Sequence, residues 1–161
     1  DQDLRIPDLA VRTGNAVTDV VLNEKRRQAL RAGISLEADF HYPASGRYEA
    51  YDLGIILHNL LENALEACRD ISDEKRCIYL DVSYVKDVFQ LNIRNNYQKK
   101  RKKDNAGNYL TTKNNTIYHG LGLSSIHHAV ANYQGQVEII DSNNKFQVIV
   151  IMYGSYAENT G

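Results

Sequence analysis

The sequence predicts an α+β fold, a two-layer α/β sandwich in which a mixed sheet carries helices on one face. Three stretches have the apolar period of helices, and five have the alternation or β-branched composition of strands. Their order is helix, strand, helix, strand pair, long polar stretch, helix, strand pair. Because most strands follow one another in adjacent pairs, a mixed sheet is favoured. A doubly wound fold fits less well, since its glycine turn should follow the first strand.

The first helix has recognisable ends. Thr13 or Asn15 can cap its start, and it is expected to run to about Arg31 with Gly33 as its stop. The charged cluster at residues 24–27 is interpreted as its solvated face. Its apolar residues are predicted to form the inner side: Ala16, Val17, Val20, Val21, Ala29 and Leu30.

The remaining elements follow from the same patterns. A half-buried strand is predicted over residues 34–40, and a long amphipathic helix over residues 49–70. A hairpin is expected to turn at Lys86-Asp87 between strands 77–85 and 88–95. A third helix begins near Leu123 and stops at Gly135. A closing strand pair covers residues 137–140 and 146–152.

Composition describes an ordinary globular domain. The chain has 161 residues, of which 43% are hydrophobic and 24% charged, with a net charge of −1. This gives no general reason to expect binding to nucleic acid or to a membrane surface. No apolar run is long enough to span a membrane. Cys68 and Cys77 are interpreted as buried free thiols of a reducing compartment, with a disulfide between them as the less favoured alternative.

Two asparagines stand out in the second helix. Asn59 and Asn63 are four residues apart, so they lie on one helical face, opposite the apolar stripe. Asparagine is a mediocre helix former because its amide competes for backbone hydrogen bonds. Taken alone, the pair is as readily explained by two solvated amides as by a ligand site.

A glycine turn opens the third helix. Gly120 and Gly122 are two apart and directly precede an apolar pattern of helical period. Glycine lets a backbone approach a ligand closely, and a helix N-terminus presents free N–H groups to phosphate. The polar stretch before it, residues 96–119, lacks apolar periodicity, and we expect its part from about residue 96 to 118 to form a mobile lid.

These motifs together resemble the N-box and second glycine box of the GHKL superfamily, which includes gyrase, MutL and sensor histidine kinases. Asn59-Leu60-Leu61-Glu62-Asn63-Ala64 and Gly120-Leu121-Gly122-Leu123 carry the resemblance. The chain is more closely similar to catalytic domains of peptide quorum-sensing and citrate-sensing kinases, through residues 59–68, Thr111-Thr112-Lys113 and His119-Gly120-Leu121-Gly122-Leu123. The resemblance implies the Bergerat ATP-binding fold.

The resemblance also implies roles for individual residues. Asn63 would be the Mg²⁺ ligand, and Asn59 would bind a metal-bound water or a phosphate; both are the expected catalytic residues. The backbone at Gly120, Leu121, Gly122 and Leu123 would hold the phosphates of ATP. Lys113 would be the cation at the β- and γ-phosphates, although a solvated lysine is an equal alternative. Asn95 occupies the position of the usual adenine-binding Asp, and the glycines that normally follow it are missing.

The implied function is that of the ATP-binding catalytic domain of a two-component sensor histidine kinase. The domain would transfer the γ-phosphate of Mg-ATP to a histidine on a separate dimerisation domain, which feeds a response regulator. None of the five histidines precedes residue 13, so the phosphoacceptor is expected outside this sequence. Alternatives are a degenerate nucleotide-binding scaffold, or another GHKL ATPase or serine kinase.

The expected context follows from that function. Residues 1–12 would be a linker or the end of an upstream dimerisation helix, residues 13–153 the catalytic domain, and residues 154–161 a flexible tail. The partners would be the dimerisation helices, with homodimer formation only through them, and no nucleic acid or membrane contact. The domain would be the cytoplasmic part of a membrane-bound bacterial receptor.

Overall fold

The computed structural model describes residues 15–41, 48–69, 71, 76–97 and 121–154. Within this part of the chain the elements alternate much as the sequence patterns predict. In chain order they are α1 (Ala16–Arg31), β1 (Ser35–Phe40), α2 (Ala50–Arg69), β2 (Cys77–Val85), β3 (Val88–Asn96), α3 (Leu121–Ala131), β4 (Gln136–Ser142) and β5 (Lys145–Met152).

The five strands form one mixed sheet in the order β1-β2-β3-β5-β4. β1 pairs with β2 in parallel, which requires a crossover, and α2 supplies it. The other three pairings are antiparallel. The predicted α+β class with a mixed sheet is therefore confirmed.

One face of the sheet is covered and the other is open. On β2 and β3 every second side chain is buried, and these side chains belong to one core with α2 and α3. The residues between them on the open face include Tyr79, Asp81, Gln90 and Arg94, all exposed. This alternation is the period-2 pattern of strands with one wet face.

Both hairpin turns have the backbone that a two-residue connection needs. Lys86 and Asp87 have φ of 52° and 65°, as predicted for the first hairpin. In the second hairpin the turn narrows to Asn143 and Asn144, at 52° and 59°. Two successive positive φ values are typical of the turn that matches strand twist, and Asn and Asp tolerate this conformation better than most residues.

The ends of α1 were predicted correctly. The Asn15 side chain accepts a hydrogen bond from the Thr18 backbone N–H at 3.1 Å, which satisfies one donor of the first turn. After the helix, Gly33 has a φ of +68°, a conformation that favours glycine. The cap and the stop therefore act as their residue types suggest.

The buried face of α1 was predicted only in part: Ala29 is buried and Val21 packs against the core, but most of the predicted inner side is exposed. The buried residues are Thr18, Leu22, Lys25 and Ala29. By contrast Val17, Val20 and Leu30, assigned to the inner side, are 43%, 65% and 66% exposed. The interpretation of residues 24–27 as a solvated face holds for Glu24 and Arg27, which are exposed, and fails for Lys25, which is only 2% exposed. The buried positions follow a narrow seam at steps of four, three and four residues, which packs on a single partner helix.

The partner helix is α2, and the two helices run parallel. Val17 lies against Gly54, where an added Cβ would meet Val17 Cγ1 at 2.8 Å. Further along, Lys25 contacts Glu62. Moving towards the C-terminus of α1 thus moves the contact towards the C-terminus of α2.

The two cysteines are free thiols, as expected. Cys68 is buried between α2 and the ends of β2 and β3, and burial raises the pKa of its thiol to about 11. Cys77 is half-buried. It is adjacent in β2 to the inward-facing Ile78, so its side chain lies on the opposite, open face of the sheet. There its Sγ accepts a hydrogen bond from Asn96 Nδ2 at 3.1 Å.

Candidate nucleotide site

The two asparagines of α2 share one face with a buried carboxylate. Asp52, Asn59 and Asn63 are spaced by seven and four residues, which places them in one row along the helix. Asn59 and Asn63 are half-buried, and Asn59 Nδ2 donates to the Ile55 carbonyl at 2.8 Å. Because the amide nitrogen of Asn59 is engaged with its own helix, its oxygen is the atom suited to an external donor.

Contacts of Asp52 show what this row faces. Asp52 Oδ2 accepts a hydrogen bond from the Tyr133 hydroxyl at 2.7 Å, and Tyr133 lies just beyond the end of α3. The same hydroxyl accepts from the Glu49 backbone N–H at 2.9 Å. The polar row of α2 is therefore turned towards α3, with the start of α2 held against the end of α3.

The directions of the elements bring the start of α3 to the asparagines. β4 runs parallel to β3, and α3, which precedes β4 across a tight turn, runs antiparallel to α2. From Tyr133 back to Leu121 the helical rise is roughly 18 Å, and from Asp52 to Asn63 it is roughly 16 Å. The first turn of α3 is therefore level with Asn63, with its N–H groups directed out of the helix end.

Asn95 lies at the same end of the domain. It continues the inward row of Phe89, Leu91 and Ile93 on β3, and it is only 4% exposed. Its Nδ2 donates to the Asn96 carbonyl at 3.2 Å, which keeps Oδ1 as the acceptor of the side chain. The Cys68 thiol is 3.5 Å from that same carbonyl, so the end of β3 meets the end of α2.

On the side of α2 that faces α1, the carboxylate of Glu62 is paired with a lysine of α1. Lys25 Nζ is 2.5 Å from Glu62 Oε2, and the two side chains are 3% and 33% exposed. The hydrogen bond from Lys25 is the main cause that lowers the pKa of Glu62 below 4.5, and the charge of Lys25 adds to it. Glu62 immediately precedes Asn63 in the chain.

The opposite end of α2 is closed by aromatic side chains. Tyr48 stacks edge-on with Tyr133 at 4.9 Å and with Phe89 at 5.4 Å between ring centroids. Its hydroxyl donates to the Met152 carbonyl at 2.9 Å. Burial raises the pKa of the Tyr133 hydroxyl, and its bond to Asp52 raises it further. This hydroxyl is therefore a neutral donor at any physiological pH.

The structure brings together most of the residues singled out in the sequence. Asn63 is level with the first turn of α3, which contains Leu121, Gly122 and Leu123; Asn59 lies one turn earlier, at the middle of α2, and Asn95 lies beside the C-terminal end of α2. The Leu123 side chain is 7% exposed, so its N–H is the group suited to a ligand. The predicted lid began at about residue 96, but Asn96 is the last residue of β3 and the Tyr97 backbone N–H donates to the Asn144 carbonyl. Residues 98–118 of the predicted lid, with Lys113, and Gly120 lie outside the described residues, as do the side chains at positions 121 and 122.

The side-chain amides of Asn59 and Asn63 suit a metal ion that is already bound to the phosphates of a nucleotide. Within the described part of the chain there is no group of three or more His, Cys, Asp or Glu side chains that could hold a metal. The amide oxygens of Asn59 and Asn63 could contribute one or two ligands. Mg²⁺ commonly takes one or two protein oxygens and completes its shell with water and phosphate.

Two polar contacts of α2 were missed from the sequence: Lys25–Glu62 and Tyr133–Asp52. Of the seam positions 18, 22, 25 and 29 only Leu22 and Ala29 are apolar, so apolar spacing alone does not identify Lys25 as an inward residue.

Comparison with known proteins places the fold in a class. The model of the GHKL domain matches residues 48–153, well over half of the 161 residues. The chain belongs to the GHKL family. Among proteins with curated functions, no significant match is found.

Solved structures with a similar fold include three histidine kinases. The Acinetobacter baumannii histidine kinase AdeS superimposes with a TM-score of 0.63 at 14% identity, covering 94% of this chain and 73% of that one. The nucleotide-free catalytic domain of the histidine kinase ThkA gives 0.60 at 18% identity, covering 89% and 94%. A blue-light-activated kinase of Erythrobacter litoralis gives 0.54 at 13% identity, covering 91% and 67%. At these identities the likeness shows the fold alone.

No helix in the described residues is both long and apolar enough to cross a membrane.

Proposed function

We propose that this domain is the ATP-binding catalytic domain of a sensor histidine kinase. It binds Mg-ATP and transfers the γ-phosphate to a histidine on a separate dimerisation domain. The observation that carries the proposal is the shared face of Asn59 and Asn63 on α2, turned towards α3 in a GHKL domain. The similar folds of histidine kinases support it.

Each residue has a part in this proposal that its chemistry allows. Asn63 ligates Mg²⁺ through its amide oxygen, which adds no anion beside the phosphates. Asn59, one turn earlier, binds a metal-bound water or a phosphate oxygen. Free N–H groups at the start of α3 bind phosphate, and the helix dipole favours negative charge there. That first turn contains no acidic residue to oppose it. Lys113 is proposed as the cation at the β- and γ-phosphates.

The type of receptor that the domain serves is proposed from the motif resemblance. The domain is proposed to serve a two-component receptor of the quorum-sensing or citrate-sensing type, as its cytoplasmic part. Its partners are the dimerisation helices and, through them, a response regulator. The phosphoryl group leaves ADP and joins a ring nitrogen of the acceptor histidine, while Mg²⁺ balances charge on the phosphates.

A degenerate nucleotide-binding scaffold is the second candidate, and Asn95 is the observation that favours it. At this position the family pattern has an Asp carboxylate, whereas this chain has the buried amide of Asn95. An adenine amino group would therefore donate to an uncharged acceptor. Binding without phosphotransfer is the outcome that separates this candidate from the kinase.

Calorimetric titration with a non-hydrolysable ATP analogue tests the proposal. The domain is titrated with and without Mg²⁺, alongside Asn63→Ala. His58→Ala is the matched control, because His58 is an exposed neighbour on the same helix. We expect Asn63→Ala to abolish Mg²⁺-dependent binding with little loss of thermal stability, and His58→Ala to bind as the wild type does. Equal titrations for wild type and Asn63→Ala would remove the metal role of Asn63.

Phosphotransfer is tested separately with labelled ATP. The domain alone is expected to show negligible labelling, and addition of a dimerisation helix from a similar kinase should give labelling of that helix. Stable phosphorylation of His41, His58, His119, His127 or His128 would contradict an acceptor on a separate domain. Mg-ATP binding with no transfer to any dimerisation helix would favour the scaffold.

A further inference from the structure

The Lys25–Glu62 ion pair is placed where an apolar pair would be expected. Lys25 occupies the centre of the α1 seam, between Leu22 and Ala29, with its side chain 3% exposed. Gln28 Oε1 lies 3.5 Å away, a second and longer contact. Burying a lysine is costly unless its charge is paired, and replacing a buried pair by apolar residues is often neutral or stabilising. Stability alone therefore does not account for this pair.

The position of Glu62 on α2 suggests what the pair accomplishes. Glu62 lies between Asn59 and Asn63, and it faces α1 whereas the asparagine row faces α3. Apolar packing against α1 permits some rotation of α2 about its axis, while a 2.5 Å ion pair with a buried partner is directional. At about 6 Å from the helix axis, a rotation of roughly 10° moves a side-chain atom by about 1 Å. Misplacements of that size matter for groups that must meet a metal or a phosphate.

We infer that Lys25 and Glu62 are positioning residues that set the rotation of α2 and thereby aim Asn59 and Asn63 at the bound Mg-nucleotide. Neither side chain contacts the nucleotide. The inference rests on the proposed function, because its main test measures binding of a Mg-ATP analogue. It adds a determinant of Mg²⁺-dependent binding that lies on α1, outside the motifs that define the site.

Replacing the pair by apolar residues separates positioning from stability. In Lys25→Met/Glu62→Leu the helices can still pack, so we expect thermal stability to be kept or raised. We expect affinity for a non-hydrolysable Mg-ATP analogue to fall by about 10- to 100-fold, the range for residues that orient metal ligands. Binding in EDTA should change much less, because the phosphate contacts at α3 are intact. The ratio of the two affinities is the decisive readout, since a purely structural role would not move it.

Two further variants complete the experiment. Lys25→Glu/Glu62→Lys keeps an ion pair between the helices and should restore most of the Mg²⁺ dependence. Arg27→Met/Glu24→Leu removes the same two charge types from exposed positions of α1 and should bind as the wild type does. If the apolar variant does not fold, Lys25→Gln/Glu62→Gln replaces it with the same expected outcomes.

The inference is overturned if a folded apolar variant keeps both the affinity and the Mg²⁺ dependence of the wild type. It is also overturned if the swapped pair binds as weakly as the apolar pair. Failure of the proposed function is distinct, because the wild type itself would then not bind. In that case the side-chain amide NMR signals of Asn59 and Asn63, recorded without nucleotide, still report rotation. They should shift in the apolar variant and not in the Arg27→Met/Glu24→Leu control.

Discussion

Asn95→Asp tests whether this buried amide is the adenine acceptor. The substitution replaces an NH₂ donor by a carboxylate oxygen in a side chain that is 4% exposed. The hydrogen bond from Nδ2 to the Asn96 carbonyl, 3.2 Å long, is lost, and two oxygens are brought together. In the absence of nucleotide we therefore expect the variant to be less stable.

The magnitudes follow from this geometry. Leaving a buried polar group without its partner costs about 1–3 kcal/mol, and for a domain of this size each kcal/mol lowers Tm by roughly 2–4 °C. A charge-assisted hydrogen bond from adenine would exceed a neutral one by about 1–1.5 kcal/mol, or about tenfold in Kd. The stabilisation that ATP confers should thus be larger in the variant than in the wild type.

Thermal shift with ATP and with inosine triphosphate is the assay, because inosine lacks the 6-amino group. We expect Asn95→Asp to increase the ATP-induced shift and leave the inosine shift unchanged. Asn92→Asp is the matched control, since Asn92 lies on the open face of β3, where it accepts from Gln147 Nε2 at 2.8 Å. Equal gains for both nucleotides, or an equal gain in the control, would refute the assignment of Asn95.

Three further predictions concern stability. Tyr133→Phe removes the donor to Asp52, and we expect a loss of about 1–3 kcal/mol in urea unfolding because the carboxylate stays buried. Gly135→Ala brings a Cβ to 2.6 Å from the Ile151 carbonyl, and overpacking of this kind costs about 1–3 kcal/mol, also measured by urea unfolding. Glu62 has a lowered pKa, so its stabilising contribution is present above pH 4.5 and lost as the pH falls through its folded pKa; this is read from Tm against pH.

Each of these has a control. Tyr79→Phe, at a tyrosine that is 41% exposed, should change stability by less than about 0.5 kcal/mol. Gly154→Ala meets no atom closer than 3.7 Å and should be nearly neutral. Lys25→Met should reduce the loss of Tm at acidic pH, because it removes the main cause of the Glu62 shift. A wild-type-like acid response in that variant would show that other groups control it.

Local signals in the sequence were sufficient for the elements and for the ends of α1 and β2, whereas β4 runs to Ser142, two residues beyond its predicted end. Asn15 caps α1 and Gly33 ends it because both use their own conformational preferences. The strand boundaries at Cys77 and Val85 were also correct, since alternation of buried and exposed residues reflects the strand itself. These features depend on few residues, all close in the chain.

The orientation of α1 could not be obtained in this way. Its apolar residues Val17 and Val20 are exposed, whereas Thr18 and Lys25 are buried. The reason is that Lys25 finds a carboxylate on another helix, 37 residues away. Apolar periodicity treats lysine as an outward residue and contains no information about a distant partner. For the site, spacing predicted that Asn59 and Asn63 share a face, but not that α3 approaches them.

Polar contacts constrain α2 in a way that its apolar packing does not. The helix is buried along a broad stripe, and contacts of this kind resist separation more strongly than small rotations. Asp52 is bound by Tyr133 from the α3 side, and Glu62 by Lys25 from the α1 side. Because each contact requires a particular side-chain direction, we infer that the two together restrict the rotation of α2 to settings that keep both carboxylates bound. In those settings Asn63, in the row of Asp52 and next to Glu62 in the chain, is directed towards the start of α3.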